Sequence, residues 1–114
     1  YRKAALRGLW HLKVRLLSPA IEEITEAALW FDGKQAGLGS EFWGLVDETL
    51  VQIEQNPLRF AKSEYATDEI QIRFAVIRRF NYVVHFAVDV DEIQIVSVAH
   101  AGRKPGHWLH RVRR

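Results

Sequence analysis

A chain of 114 residues, 48% hydrophobic and 26% charged, has the size and composition of one globular domain with a single modest core. It has no cysteine, which excludes a disulfide framework and a thiolate metal site and fits a reducing, cytoplasmic compartment. Net charge is only +2, and the apolar runs fall far short of the roughly 18 residues that span a membrane, so no membrane partner is expected.

The charge is unevenly placed. Residues 1 to 16 carry Arg2, Lys3, Arg7, Lys13 and Arg15 and no acid. Residues 101 to 114 carry Arg103, Lys104, Arg111, Arg113 and Arg114 and no acid. All 14 acids lie between them. Such ends either meet an anionic partner or are simply solvated. The opening YRKAALRGLWHL is basic and somewhat amphipathic but lacks the apolar core of a secretory signal. Residues 1–11 therefore read as an N-terminal extension of unclear origin, ahead of a single domain over 12–114.

LKVRLL (12–17) alternates apolar and basic residues, as a half-buried strand does. Ser18 can cap a following helix and Pro19 suits its first turn. Ile21, Ile24, Ala27 or Ala28, and Phe31 then recur at helical spacing, with Glu22, Glu23 and Glu26 near the helix start. The helix should stop near Asp32-Gly33. The glycine-rich QAGLGSEFWG leads into a second helix with its stripe on Phe42, Leu45 or Val46, Thr49, Leu50 and Ile53, closed by Asn56-Pro57. Two helices so joined pack as a hairpin. Residues 58–68 read as irregular.

Three strand-like runs follow: EIQIRFAVI, YVVHFAV and IQIVSVAH, separated by the turns RRFN and DVDE. Such short connections imply an antiparallel meander. The fold class is therefore α+β, in the order β-α-α-β-β-β, with the helices on one face of the sheet. The helices should cover Ile72, Phe74, Val84 and Phe86. Arg73 and His85 would then stand on the open face, joined by His100 if its parity also points away from the helices.

That surface would have chemical capacity. Arg73, Arg78, Arg79, Arg103 and Lys104 supply cations for phosphate, and His107, Trp108 and His110 supply rings for bases. His100 beside Arg103 could serve metal-free RNA cleavage, one moving a proton and the other meeting charge on phosphorus. Plainer roles compete: His85 as a hydrogen-bonded mid-strand residue, Trp108 as a seal on the sheet, Arg78-Arg79 as solvated turn residues. Trp30, Phe31 and Trp43 read as core. GLGSEFWG does not match a phosphate loop, and His107 with His110 has no third ligand nearby. No metal and no cofactor is expected.

LSPAIEEITEAALWFDGKQAGLGSEFWGLVDETLVQIEQNP and IRFAVIRRFNYVVHFAVDVDEIQIVSVAHAGRKPGHWLHR together resemble the RelE/ParE superfamily of bacterial toxins, of plasmid-stabilisation type. The resembling positions are Arg73, Phe80 with Tyr82, His100, Arg103 with Pro105, and His107-Trp108. Members usually carry tyrosine where His107 stands, and residues 1–11 have no counterpart. The resemblance implies a growth-arresting toxin of a type II toxin–antitoxin system. It implies a cognate antitoxin that neutralises the chain, and operator DNA bound through that antitoxin. The target would be DNA gyrase, inhibited by binding, or mRNA on the ribosome, cut without a metal; an inactivated toxin kept as a binding module is the third possibility. Nucleases of the family use a basic cluster, for which only Lys62, Arg73 and Arg103 are available here. That scarcity favours the gyrase reading, with Lys62, Arg78, Arg79, His85, Lys104, His107 and Trp108 as contact residues.

Overall fold

The structure, a computed structural model, describes residues 12–112; the extension expected at 1–11 lies outside them. The chain order is β1 (Lys13–Leu16), α1 (Ser18–Lys34), α2 (Leu38–Gln55), β2 (Ala61–Lys62), β3 (Gln71–Ile77), β4 (Tyr82–Val88) and β5 (Glu92–His100). Single 3-10 turns cover Pro57–Arg59 and Leu109–Arg111. The five strands form one sheet in the order β1-β5-β4-β3-β2, with β1 parallel to β5 and the other pairs antiparallel. Both helices pack on one face. The α+β class and the helical hairpin followed by a meander are as the sequence predicts. The two-residue β2 lies in a stretch expected to be irregular.

β1 passes directly into α1. Leu17 donates its N–H to Ile95 O, and its carbonyl accepts from Ala20 and Ile21. Leu17 is thus the N-cap rather than Ser18, and no side chain caps this end. The buried stripe of α1 is Ala20, Ile24, Ala27 and Ala28, with Phe31 packed against the core. Ile21 lies off that stripe and is exposed. Trp30 and Trp43, expected in the core, are 59% and 40% exposed, because each flanks the residue that faces inward, Phe31 and Phe42.

α1 runs on to Lys34, past the stop expected near Asp32-Gly33, and Asp32 organises the next helix. Its Oδ1 accepts from Gly37 N at 3.2 Å and Gly39 N at 2.7 Å, satisfying amides at the start of α2. Gly37 adopts φ 94°, a left-handed turn that glycine enters without strain. Gly39 is required for a different reason: a Cβ there would lie 2.5 Å from Ala28 O and 2.8 Å from the Asp32 carboxylate.

The face assignment differs from the expectation. The turn Arg78–Asn81 sets Ile77 opposite Tyr82, so Phe74 pairs with His85 and Arg73 with Phe86. The helices therefore cover Ala75, Ile77, Val84, Phe86, Ile93, Ile95 and Val98, and Arg73 shares that side. Ile72 and Phe74 lie on the opposite face with His85. Ile72 there joins Ala87, Val96 and Trp108 in a second, smaller core. On β5 a bulge falls opposite His85 and Phe86: Ile95 faces Phe86, Ser97 faces His85, and Val96 is the extra residue. Beyond the bulge the alternation reverses, so Val98 and His100 turn toward the helix side.

Two substitutions separate helix propensity from packing. Gly44→Ala, with nothing within 4 Å, should stabilise the protein by roughly 0.5–1 kcal/mol. Gly39→Ala, in the same helix, should destabilise it by about 1–3 kcal/mol through overpacking. Urea denaturation of both variants checks this; a stabilising Gly39→Ala would mean that the helices can part at no cost.

Candidate functional site

β1 covers only the first part of β5, ending opposite Ile95. The remaining edge of β5 would leave backbone groups unpaired, which is costly when buried. Side chains meet this need. Val98 donates its N–H to Glu23 Oε1 at 2.9 Å, and Arg111 Nη1 donates to Val96 O at 2.9 Å. Arg111 also grips Glu23 with both terminal nitrogens, at 3.1 Å each. Both side chains are only 12% exposed. Arg111 is therefore a structural residue and not part of a solvated tail. Glu23 follows Ala20 at i+3 and precedes Ala27 at i+4, so an acid on the inward face of α1 was the available signal.

Two concavities flank this end of β5. On the helix side, a groove of about 510 Å³ is walled by Trp30, Phe31, Phe80 and Tyr82, with Glu23 and Glu26 along one margin and His100 and Arg103 along the other. Its aromatic wall is backed by the buried Phe42: Phe31, Phe42, Phe80 and Tyr82 meet with ring centroids 4.6–5.9 Å apart. Phe80, held above the turn by a left-handed Asn81 at φ 58°, anchors the turn to the helices. His100 is exposed, its ring 5.7 Å from Tyr82, while its Nδ1 accepts from Gly102 N. Burial raises the Tyr82 hydroxyl above its ordinary pKa, with the Glu23 charge adding to the effect.

On the other face, a cleft of about 320 Å³ gathers His85, His100, Arg103, Lys104, His107 and Trp108. Tyr65 and Phe74 complete its walls, and nothing in the sequence marked Tyr65, which lies in the stretch expected to be irregular. Trp108 is buried, edge-on to Tyr65 at 5.6 Å and 4.5 Å from the His85 ring. It seals the sheet and has no free face for a base. Burial holds His85 well below the ordinary imidazole range, at about 4; the His107 ring pushes the same way and Glu23 opposes. His107 is lowered too, first by burial and then by Arg103. The Nδ1 atoms of both histidines are buried without a hydrogen-bond partner.

Arg73, Lys62, Arg78 and Arg79 are not brought to this cleft. Arg73 lies on the helix side and donates to Phe60 O at 2.6 Å and Leu58 O at 3.3 Å. Those carbonyls belong to the connector before β2, and Arg73 is their donor. Lys62 lies opposite Arg73 on β2 and is exposed. Arg79 pairs with Glu41 at 2.7 Å, and Arg78 is exposed in the turn. Arg103 stands 3.8 Å from Glu23, so it leans to the groove as much as to the cleft. Among the described residues no three His, Cys, Asp or Glu side chains cluster as metal ligands, and no helix is long and apolar enough to cross a membrane.

The depressed imidazole of His85 sets a pH dependence. Below pH 6.5 the unfolded chain takes up a proton that the folded chain refuses until about pH 4. Stability is therefore full above 6.5 and falls as pH drops toward 4, by roughly 1–2 kcal/mol for a ring partly screened by solvent. Denaturant melts between pH 7 and 4 should show this slope, and His85→Phe should reduce it to the share that His107 contributes; an unchanged slope in the variant would place its source elsewhere.

No protein-family model matches the sequence, and no curated protein matches it. Among solved structures, the fold is similar to a chain described as "Chromosomal ParDE TA system from P. aeruginosa", with a TM-score of 0.67 and 13% identity over 79% of this chain and 96% of that one. At that identity the likeness speaks to the fold alone.

Proposed function

We propose that this chain is the toxin of a type II toxin–antitoxin pair and that it acts by binding DNA gyrase rather than by cutting mRNA. The likeness to a ParDE system supports the first part. One observation carries the second: the guanidinium of Arg73 is spent on the carbonyls of Leu58 and Phe60, on the face away from the histidine cleft. Arg73, His100 and Arg103 therefore do not converge on one phosphate-sized position. A nuclease needs a proton carrier and a cation aimed at the same phosphorus, whereas a binding toxin needs only a surface.

The aromatic groove beside α1 is the place for the antitoxin. Trp30, Phe31, Phe80 and Tyr82 offer apolar anchorage, and the margins carry charges of opposite sign. A partner segment with apolar anchors, an acid facing Arg103 and a cation facing Glu26 would match it. Operator DNA would then be reached through the antitoxin.

A second reading, a ribosome-dependent mRNA endonuclease, draws support from the cleft that collects His85, His100, His107, Arg103 and Lys104. Expression of the chain alone, with mRNA integrity and plasmid supercoiling followed together, separates the two. The expected result is growth arrest with inhibited supercoiling and intact mRNA. Codon-phased cuts with normal supercoiling would sink the gyrase reading, and no arrest at all would indicate an inactive binding module. His100→Ala should leave toxicity within a few fold, whereas a proton-transfer residue would lose about 10²–10⁴.

A further inference from the structure

Residues 101–112 contain no regular element beyond the 3-10 turn Leu109–Arg111. They fold back across the face of the sheet away from the helices, start from a bond of Ala101 N–H to Asn81 O, and have two main anchors further on. Trp108, 1% exposed, packs into the small core with Ile72, Ala87 and Val96. Arg111 reaches round the edge of β5 to Glu23 and Val96 O. The second point is shared with the other side of the sheet, because Glu23 also lines the aromatic groove.

We propose that residues 101–112 form a releasable strap whose catch is the Glu23–Arg111 pair, and that a cationic side chain entering the groove and taking the Glu23 carboxylate frees the strap on the opposite face. The chemistry is competition for acceptor sites. A carboxylate offers about four lone-pair positions. Arg111 uses two, Val98 N uses one, and Arg103 stands over the remainder at 3.8 Å. A new guanidinium can grip both oxygens of Glu23 only by displacing Arg111, which holds that two-point position. Once Arg111 leaves, its bond to Val96 O goes too, and the end of the strap is held by the packing of Trp108, Leu109 and Val112. A ligand shifts such an equilibrium only through its preference for one form; here the preference arises because both carboxylate oxygens are open to a second guanidinium only in the released form. Release uncovers the apolar strip of Ile72, Ala87 and Val96 and frees His85 from Trp108. The inference rests on the preceding reading only in taking the groove as a partner site.

The strap is tested on the free chain, so its failure is distinct from failure of the toxin reading, which is judged by growth, supercoiling and mRNA. In amide hydrogen exchange, Arg111→Lys should speed residues 104–112 at least tenfold and leave residues 71–77 and 82–88 within twofold. Glu23→Gln, which imitates a carboxylate withdrawn from the catch, should do the same from the groove side. With fluorotryptophan labelling, both variants should move or broaden the Trp108 resonance and leave those of Trp30 and Trp43 in place. Arg103→Lys should change neither readout. Unchanged exchange at 104–112 in both variants, or a rise shared equally by the sheet, would overturn the proposal. The wild-type chain supplies a test that needs no variant: in rising urea, 104–112 should open before the strands, and joint opening would also overturn it.

Discussion

The edge of β5 is the constraint around which this fold is arranged. β5 runs for nine residues and β1 covers only its first part, ending opposite Ile95. A strand edge left open in a partly buried setting either recruits another strand or must be closed by other donors and acceptors. Here a carboxylate from α1 and a guanidinium from the C-terminal segment take the place of the missing strand. A buried ion pair is usually poor value as a source of stability, since desolvation offsets its attraction. This one differs in that both partners also satisfy backbone groups, and hydrogen bonds to charged groups contribute about 1.5–3 kcal/mol each. The same four groups tie α1, β5 and the C-terminal segment together.

The bulge on β5 is the second determinant. Had β5 alternated regularly through Val96, with no bulge, His100 would share a face with His85. With it, Val96 points to Trp108 while Val98 enters the helix-side core. His100 is carried to the rim, its ring against Tyr82 and its flank on both concavities. Bulges commonly re-aim a side chain in this way. The last strand thus becomes a wall between two sites.

The element order was legible because periodicity and punctuation agree along the chain: apolar stripes every three or four residues, then alternation, with Asn-Pro and short polar turns between. The faces were less legible. On β3, Ile72, Phe74 and Val76 alternate with Ala75 and Ile77, so either parity could serve as a buried face. The four-residue turn 78–81 carries the deciding information, since it dictates Ile77 opposite Tyr82 and, with that, every pairing down the hairpin. The bulge leaves no mark that apolar patterning detects, because IQIVSVAH is apolar on both sides. Nor does patterning distinguish Arg111 from its neighbours Arg113 and Arg114. Its role depends on an edge whose existence follows from where β1 ends.

The fate of the arginines bears on function more than their number does. Arg73 serves the carbonyls of a connector that has no strand beside it, and an arginine can supply five donors where a lysine supplies three from a single point. Arg15 pairs with Glu92, Arg79 with Glu41, and Arg111 with Glu23. A basic composition therefore reflects scaffold needs here before it reflects an anionic ligand. Chemistry on phosphate would require cations left loose enough to follow a charge as it develops. Arg103 and Lys104 meet that condition at the cleft, but no further described arginine joins them in its lining. The groove on the other side asks for less, only apolar rings held in place and complementary charges at its margins. The scaffold provides Phe31, Phe80 and Tyr82 from positions that the core already fixes.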